Sequence, residues 1–224
     1  MHLGGPDGGE VTLYKSPELV ENLITMMGEQ RAYLSEIDGA IGDGDHGINM
    51  SKGFAQARQR IHERRVPPNL PQALDDLAMT LLEGIGGSMG PLYGGFFLAM
   101  SEALDEAGAL DRESFGLALT RGVEVVQDVG SAQVGDKTLI DTLVPARDTY
   151  LAAQATGLDF SSCLQDMVAA AEQGQLSTRA LQARIGRSAR LGERSIGVLD
   201  AGATSCYFIL KSMADTIHGR SLES

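Results

Sequence analysis

The chain has 224 residues, 43% of them apolar, which is enough to bury one sizeable core and excludes disorder as its main state. Eighteen Lys and Arg against thirty Asp and Glu leave a formal charge of −12, which repels nucleic-acid phosphates and anionic lipid and argues against either partner. No run approaches the roughly 18 apolar residues of a membrane span, and the acidic, glycine-rich start does not read as a signal peptide, so a reducing cytoplasmic setting is expected.

Residues 1–15 read as a flexible N-terminal segment, 16–219 as a single helical domain and 220–224 as a C-terminal tail. Ser16 as N-cap and Pro17 at the first helical position open an amphipathic helix bearing Leu19, Val20, Leu23, Ile24 and Met27. Pro67, Pro68 and Pro71 mark a turn, after which Leu74, Leu77, Ala78, Leu81 and Leu82 repeat the helical period. The same spacing returns in Phe96, Phe97, Met100 and Leu104, then in Phe115, Leu119, Val123 and Val126. Further helices are predicted over Leu139–Ala153 with a kink at Pro145, Leu164–Ala171 closed by Gly174, Leu181–Ile185, and Cys206–Ile217 closed by Gly219. About eight helices with short connectors and no strand-like alternation predict an all-α domain. Cys163 and Cys206 fall inside these apolar patterns without metal spacing and read as buried free thiols.

Glycine supplies 28 residues, and five of them fall in Gly39–Gly53 and six in Gly84–Gly95. Glycine costs roughly 1 kcal/mol inside a helix relative to alanine, so such clusters mark turns or close approach of backbone to a ligand. The first cluster holds Asp38, Asp43 and Asp45, with no Lys or Arg between Ala32 and Ser51 to neutralise them. Like charges this close call for solvent or a cation, and oxygen donors select Mg²⁺ or Ca²⁺. An EF-hand starting at Asp43 fails at Gly47 and Phe54, where ligands would be required. Gly42-x-Gly44-x-x-Gly47 matches a dinucleotide fingerprint by letters, yet it follows a helix and carries two aspartates where pyrophosphate would sit. The chemical reading is a nucleotide–Mg²⁺ loop, and the competing one is an exposed acidic turn.

The second cluster, Gly84 to Gly95, precedes an apolar helix and so offers an anion site. A third stretch, Gly130 to Thr138, approaches a P-loop but places Asp136 before Lys137 and follows no strand. Lys137 either meets phosphate or pairs with Asp136.

Four ordered motifs then stand together: Asp38 with Gly42-Asp43-Gly44-Asp45-His46-Gly47-x-Asn49-Met50, Gly90-Pro91-Leu92-Tyr93-Gly94, Gly135-Asp136-Lys137-Thr138, and Asp200-x-Gly202-Ala203-Thr204-Ser205. In this order and spacing the chain resembles the nucleotide-binding L subunits of dihydroxyacetone kinases from about Ser16 to Gly219. The resemblance implies an eight-helix antiparallel up-and-down barrel with the nucleotide site in the loops at one end. It implies that Asp38, Asp43 and Asp45 hold two Mg²⁺ ions, and that His46, Gly47, Ile48, Asn49, Ser88 and Met89 contact phosphates of ADP or ATP. Gly130, Leu139, Arg187, Asp200, Ala201 and Gly202 match positions around the rest of the nucleotide.

Three departures accompany the match: Ser88-Met89 stands where the family has Ala-Ser, Ala201 where it has Pro, and Val198 where it commonly has His. The activity implied is transfer of a phosphoryl group to dihydroxyacetone held on a separate K subunit, with bound ADP recharged by a phosphohistidine carrier. Direct exchange of ATP, a related ketose such as erythrulose, and a nucleotide-dependent regulator of a transcription factor are the alternatives. A homodimer is compatible with the resemblance, and His2, His62 and His218 receive no role.

Overall fold

The computed structural model of the chain describes residues 12–221, so the expected 1–15 segment and 220–224 tail fall largely outside the described residues. Leu13 is nevertheless part of the main core. After a short helical piece at residues 12–14, nine α-helices follow among the described residues: α1 (Glu18–Glu29), α2 (Arg31–Ile41), α3 (His46–His62), α4 (Leu70–Gly84), α5 (Gly95–Ala107), α6 (Arg112–Gly130), α7 (Ile140–Ala155), α8 (Phe160–Ser177) and α9 (Ala201–Ser221). A π-helical turn, Gly90–Gly94, leads into α5, and 3-10 turns occupy Thr178–Ala180 and Arg187–Ser195. Among the described residues there is no strand, and no helix is long and apolar enough to cross a membrane. The all-α expectation is therefore met.

Helix starts follow local chemistry. Asn69 accepts from the backbone N–H of Gln72 while the Gln72 side chain accepts from the Asn69 N–H, and Asp111 and Ser114 repeat this reciprocal cap at α6. Asp159 caps α8 by accepting from Ser162 N at 2.7 Å. Such caps satisfy N–H groups that the first helical turn leaves without partners. Ser16 acts one position outside its expected place: α1 starts at Glu18, and the Ser16 hydroxyl accepts from the Glu18 N–H at 3.4 Å.

The apolar faces meet in one large core that draws on every helix from α1 to α9 except for most of α2. Phe54, Phe96 and Phe97 pack edge to face on one side, and Phe115 packs at a tilt against Tyr150 and Phe160 on the other. Packing partners run α1–α3, α3–α4, α4–α5, α5–α6, α6–α7, α7–α8 and α8–α9, and return from α9 to α1. The two helices that complete this circuit are joined by the Asn22 amide, which donates to Thr216 Oγ1 at 3.1 Å. Helix α2 stands outside the circuit, against α3 and α9. Cys163 and Cys206 are both buried free thiols, as expected.

Several local expectations need correction. Gly174 does not end a helix, since α8 continues to Ser177 and Gly174 is buried within it. A Cβ there would lie 2.2 Å from the Asp141 carbonyl oxygen, so the glycine exists to let α8 approach the backbone of α7. Gly219 likewise lies inside α9. Leu181–Ile185 is not helical: Leu181 is extended, the Ala183 N–H donates to Ser195 Oγ at 2.9 Å, and the Arg184 N–H donates to the Asp136 carbonyl at 3.1 Å. Its donors are claimed by other segments before an intrahelical ladder can form.

Candidate functional site

The carboxylates of the first glycine cluster come from three backbone settings. Asp38 lies in the last turn of α2, Asp43 in the connector, and Asp45 is the residue before α3. Gly44, with φ +76°, turns the chain between the two helices in a conformation that suits glycine. The Asp38 side chain accepts from the His46 N–H at 3.2 Å, placing negative charge at the N-terminal end of α3, where the helix dipole favours it. One oxygen from each of Asp38, Asp43 and Asp45 lies within 4.8 Å of the other two. This all-oxygen donor set suits a hard divalent cation, which would relieve the mutual repulsion of the three charges.

These residues line a cavity of about 390 Å³. Of the expected site residues, Asp38, Asp43, Asp45, His46, Ser88, Met89, Gly130, Leu139, Arg187, Asp200, Ala201 and Gly202 all reach it. Gly47, Ile48 and Asn49 are not among its lining residues. Gly47 is buried, and a Cβ there would meet the Arg31 carbonyl oxygen at 2.1 Å, so its requirement is set by the contact of α3 with α2. Ile48 is exposed on the outer side of α3.

The glycine-rich wall contains Gly86 and Gly87, Ser88 and Met89, and runs directly into the π-helical turn. Gly87 has φ +71°, another position that suits glycine. Val126, Val129, Leu92, Leu139, Ile140 and Ile185 add apolar surface, so the cavity combines an acidic end with an apolar interior.

Beneath the cavity, buried hydrogen bonds tie its walls together. His46 Nε2 lies 3.0 Å from Ser205 Oγ, and Ser205 Oγ lies 2.6 Å from the Tyr93 hydroxyl. Tyr93 belongs to the π-helical turn, His46 opens α3 and Ser205 lies in the first turns of α9. One chain thus joins three loops that bound the cavity. Burial pushes the His46 imidazole down to about 4, against a smaller opposing pull from Asp38, so the ring is neutral near pH 7. Burial also raises the Tyr93 hydroxyl well above its ordinary range.

Asp200 caps α9 by accepting from the Ala203 N–H at 2.7 Å. Its removal from water raises it to about 6, a shift that the Ala203 N–H and the Lys137 ammonium oppose and Asp141 and Asp38 reinforce. Lys137 does not pair with Asp136. Its ammonium is buried and donates to the Thr178 carbonyl at 2.6 Å and to the Val198 carbonyl at 2.5 Å. Asp136 pairs instead with Arg184 at 3.7 Å. The buried Asp141 shapes the same loop by accepting from Gly135 N at 2.6 Å and Thr138 N at 2.7 Å. Arg187 forms an ion pair with Asp43 and approaches Asp45 at 3.6 Å.

Sequence reasoning assigned no role to Ser205, Tyr93 or Asp141, although two of them stand inside quoted motifs. The available signal was positional: Asp141 follows Thr138 by three residues, the spacing of a side-chain cap on a turn.

Known proteins resemble this chain over most of its length. Residues 40–215 match the DAK2 domain. The ADP-binding subunit DhaL of the PEP-dependent dihydroxyacetone kinase of Escherichia coli is 34% identical over 199 residues, spanning 87% of this chain and 94% of that protein. A corresponding DhaL subunit of Listeria innocua is 37% identical over 188 residues, covering 84% of this chain and 88% of its own length. In structure, the dihydroxyacetone kinase of C. freundii superimposes with a TM-score of 0.68 at 25% identity, over 96% of this chain but 38% of that longer one. With the match spanning most of the chain in sequence and in fold, the protein belongs to the DAK2 family, that of the dihydroxyacetone kinase L subunits.

Proposed function

We propose that this chain binds ADP or ATP together with two Mg²⁺ ions and is the nucleotide-binding subunit of a kinase acting on dihydroxyacetone or a related short ketose. The observation that supports this most is the gathering of the Asp38, Asp43 and Asp45 oxygens at a cavity that also carries a glycine-rich loop. In this reading the three aspartates hold the metal and none acts as a base. When bound, Mg²⁺ neutralises charge on phosphate oxygens during transfer. The backbone N–H groups and hydroxyl around Gly87–Ser88 receive phosphate oxygens, and His46, at the first position of α3, lines the same cavity. Leu139, Met89 and Gly130 accept the less polar part of the nucleotide, while Asp200, Ala201 and Gly202 close the far side. The buried chain from Tyr93 through Ser205 to His46 holds these walls in register, which is the positioning that phosphoryl transfer demands.

The cavity lining suggests a nucleotide seat and no separate sugar pocket, so the ketone belongs on a K subunit. The DhaL relatives belong to PEP-dependent and PTS-dependent kinases, which favours ADP that stays bound and is recharged by a phosphohistidine carrier. A cytoplasmic location suits that chemistry. A tetrose in place of dihydroxyacetone is favoured by one relative: the L-erythrulose 1-kinase of Mycolicibacterium smegmatis is 28% identical over 93% of this chain.

The test combines the purified chain with a K subunit and dihydroxyacetone or erythrulose, and supplies either phosphorylated carrier or ATP. Phosphorylated ketone is expected only when the K subunit is present, and from the carrier with ADP released stoichiometrically on acid denaturation. No product from either donor with an active K subunit would overturn the kinase reading.

A further inference from the structure

We propose that Arg187 is the resident counter-cation of the Asp38–Asp43–Asp45 cluster, and that a divalent ion enters by displacing its guanidinium. This rests on the reading of the cluster as a metal site. The guanidinium Nη1 is paired with Asp43 Oδ2 and stands 3.6 Å from Asp45 Oδ2, so one side chain touches two of the three carboxylates. A guanidinium cannot lose its charge in a protein, so a second cation at these oxygens meets its repulsion and competes with it for their lone pairs.

The segment that carries Arg187 is built to release it. Arg187 opens the 3-10 segment Arg187–Ser195 after Gly186, whose φ of +77° turns the chain sharply toward the cluster. The far end of the segment is fixed by the buried Ser195, which accepts from the Ala183 N–H at 2.9 Å and donates to the Gly192 carbonyl at 2.6 Å. The near end is held by the ion pairs, in which the Arg187, Asp43 and Asp45 side chains are 59%, 49% and 40% exposed. Pairs this exposed are weak and exchange readily with ions from solvent. Arg184, Arg190 and Arg194 lie in the same stretch, with Glu193 as its one carboxylate, so a basic segment borders the acidic loop of a chain whose net charge is −12.

Arg187 also lines the cavity. Once displaced from the carboxylates, its guanidinium is already beside the space that a polyphosphate would occupy, and there it has a new anionic partner. One side chain thereby links the two loading events: metal entry frees the arginine, and the freed arginine strengthens the hold on phosphate.

Opposite effects in two binding assays follow. Mn²⁺ titrated into nucleotide-free protein and read by electron paramagnetic resonance should bind about three- to tenfold more tightly to Arg187→Gln than to the native protein, because the competitor is gone. Mg·ADP should bind the same variant more weakly. Arg190→Gln, altered in the same segment, should leave Mn²⁺ affinity unchanged. Equal or weaker Mn²⁺ binding by Arg187→Gln, or equal tightening in Arg190→Gln, would overturn the proposal. Failure of all three proteins to bind Mn²⁺ would overturn the metal reading and this proposal with it.

Discussion

His46 Nε2 and Ser205 Oγ lie 3.0 Å apart although 159 positions separate them in sequence. The bond fixes one ring nitrogen while burial holds the imidazole near 4, well below its ordinary 6.5. The C–H resonances of this ring in the metal-free protein should therefore stay constant by nuclear magnetic resonance from about pH 8 to about pH 5, while those of an exposed histidine move. The sign for stability follows from linkage: the contribution is complete above 6.5 and is lost as pH falls toward 4, because the unfolded chain takes up the proton first. A midpoint near 6.5 for the His46 signals would refute the neutral, buried assignment.

Asp200 works in the opposite direction. Its carboxyl is raised from 3.8 to about 6, so its contribution is complete below 3.8 and is lost as pH rises through about 6. Over the acid range the two residues partly cancel. Asp200→Asn keeps an oxygen for the Ala203 N–H but removes the titration, so stability of the variant should fall more steeply than that of the native protein as pH drops from about 6 to about 4. Denaturant unfolding across that range checks it; parallel curves would contradict the assignment.

Ala201 occupies the first position of α9, directly after the capping Asp200. Proline is pre-shaped for that position and its missing N–H is not needed there. Ala201→Pro should raise stability by about 0.4–1 kcal/mol by restricting the unfolded chain. For a chain of this size that is an increase in melting temperature of roughly 1–4 °C, measurable by calorimetry. A decrease would show that the turn at Asp200 cannot accept the proline ring.

Lys137 fastens the Thr178 and Val198 carbonyls from a buried position. Lys137→Met preserves much of the apolar stem but leaves both acceptors without their partner, at a cost of about 2–4 kcal/mol. The loss should appear as a lower urea midpoint with an unchanged slope. A variant as stable as the native protein would mean that water replaces the ammonium.

The acidic cluster was legible because its three aspartates are packed into eight positions, so sequence proximity and spatial proximity coincide. Helix positions followed from periodicity for the same local reason. The links among distant elements were not legible. Ser205 and Tyr93 are 112 positions apart, and only folding reveals that their hydroxyls meet. Gly174 carried a misleading local signal: within a helical pattern a glycine reads as a stop, whereas its cause is the Asp141 backbone of a different helix. Leu181–Ile185 failed similarly, since an apolar spacing suggested a helix but Ser195 and Asp136 had taken its backbone groups. Asp136 is the carboxylate beside Lys137 in sequence, whereas the two carbonyls that the ammonium reaches lie 41 and 61 positions away.

The bond from Asn22 to Thr216 brings the outer ends of α1 and α9 side by side. A unit whose first and last long helices lie side by side can be hung from, or spliced into, a longer polypeptide with little rearrangement of its interior. The dihydroxyacetone kinase of C. freundii and the human triokinase/FMN cyclase, where the match spans 38% and 33% of the longer chain, are of that larger kind. Geometry at one small seam thus makes the same helical circuit equally serviceable as a freestanding part or as a block in a composite enzyme.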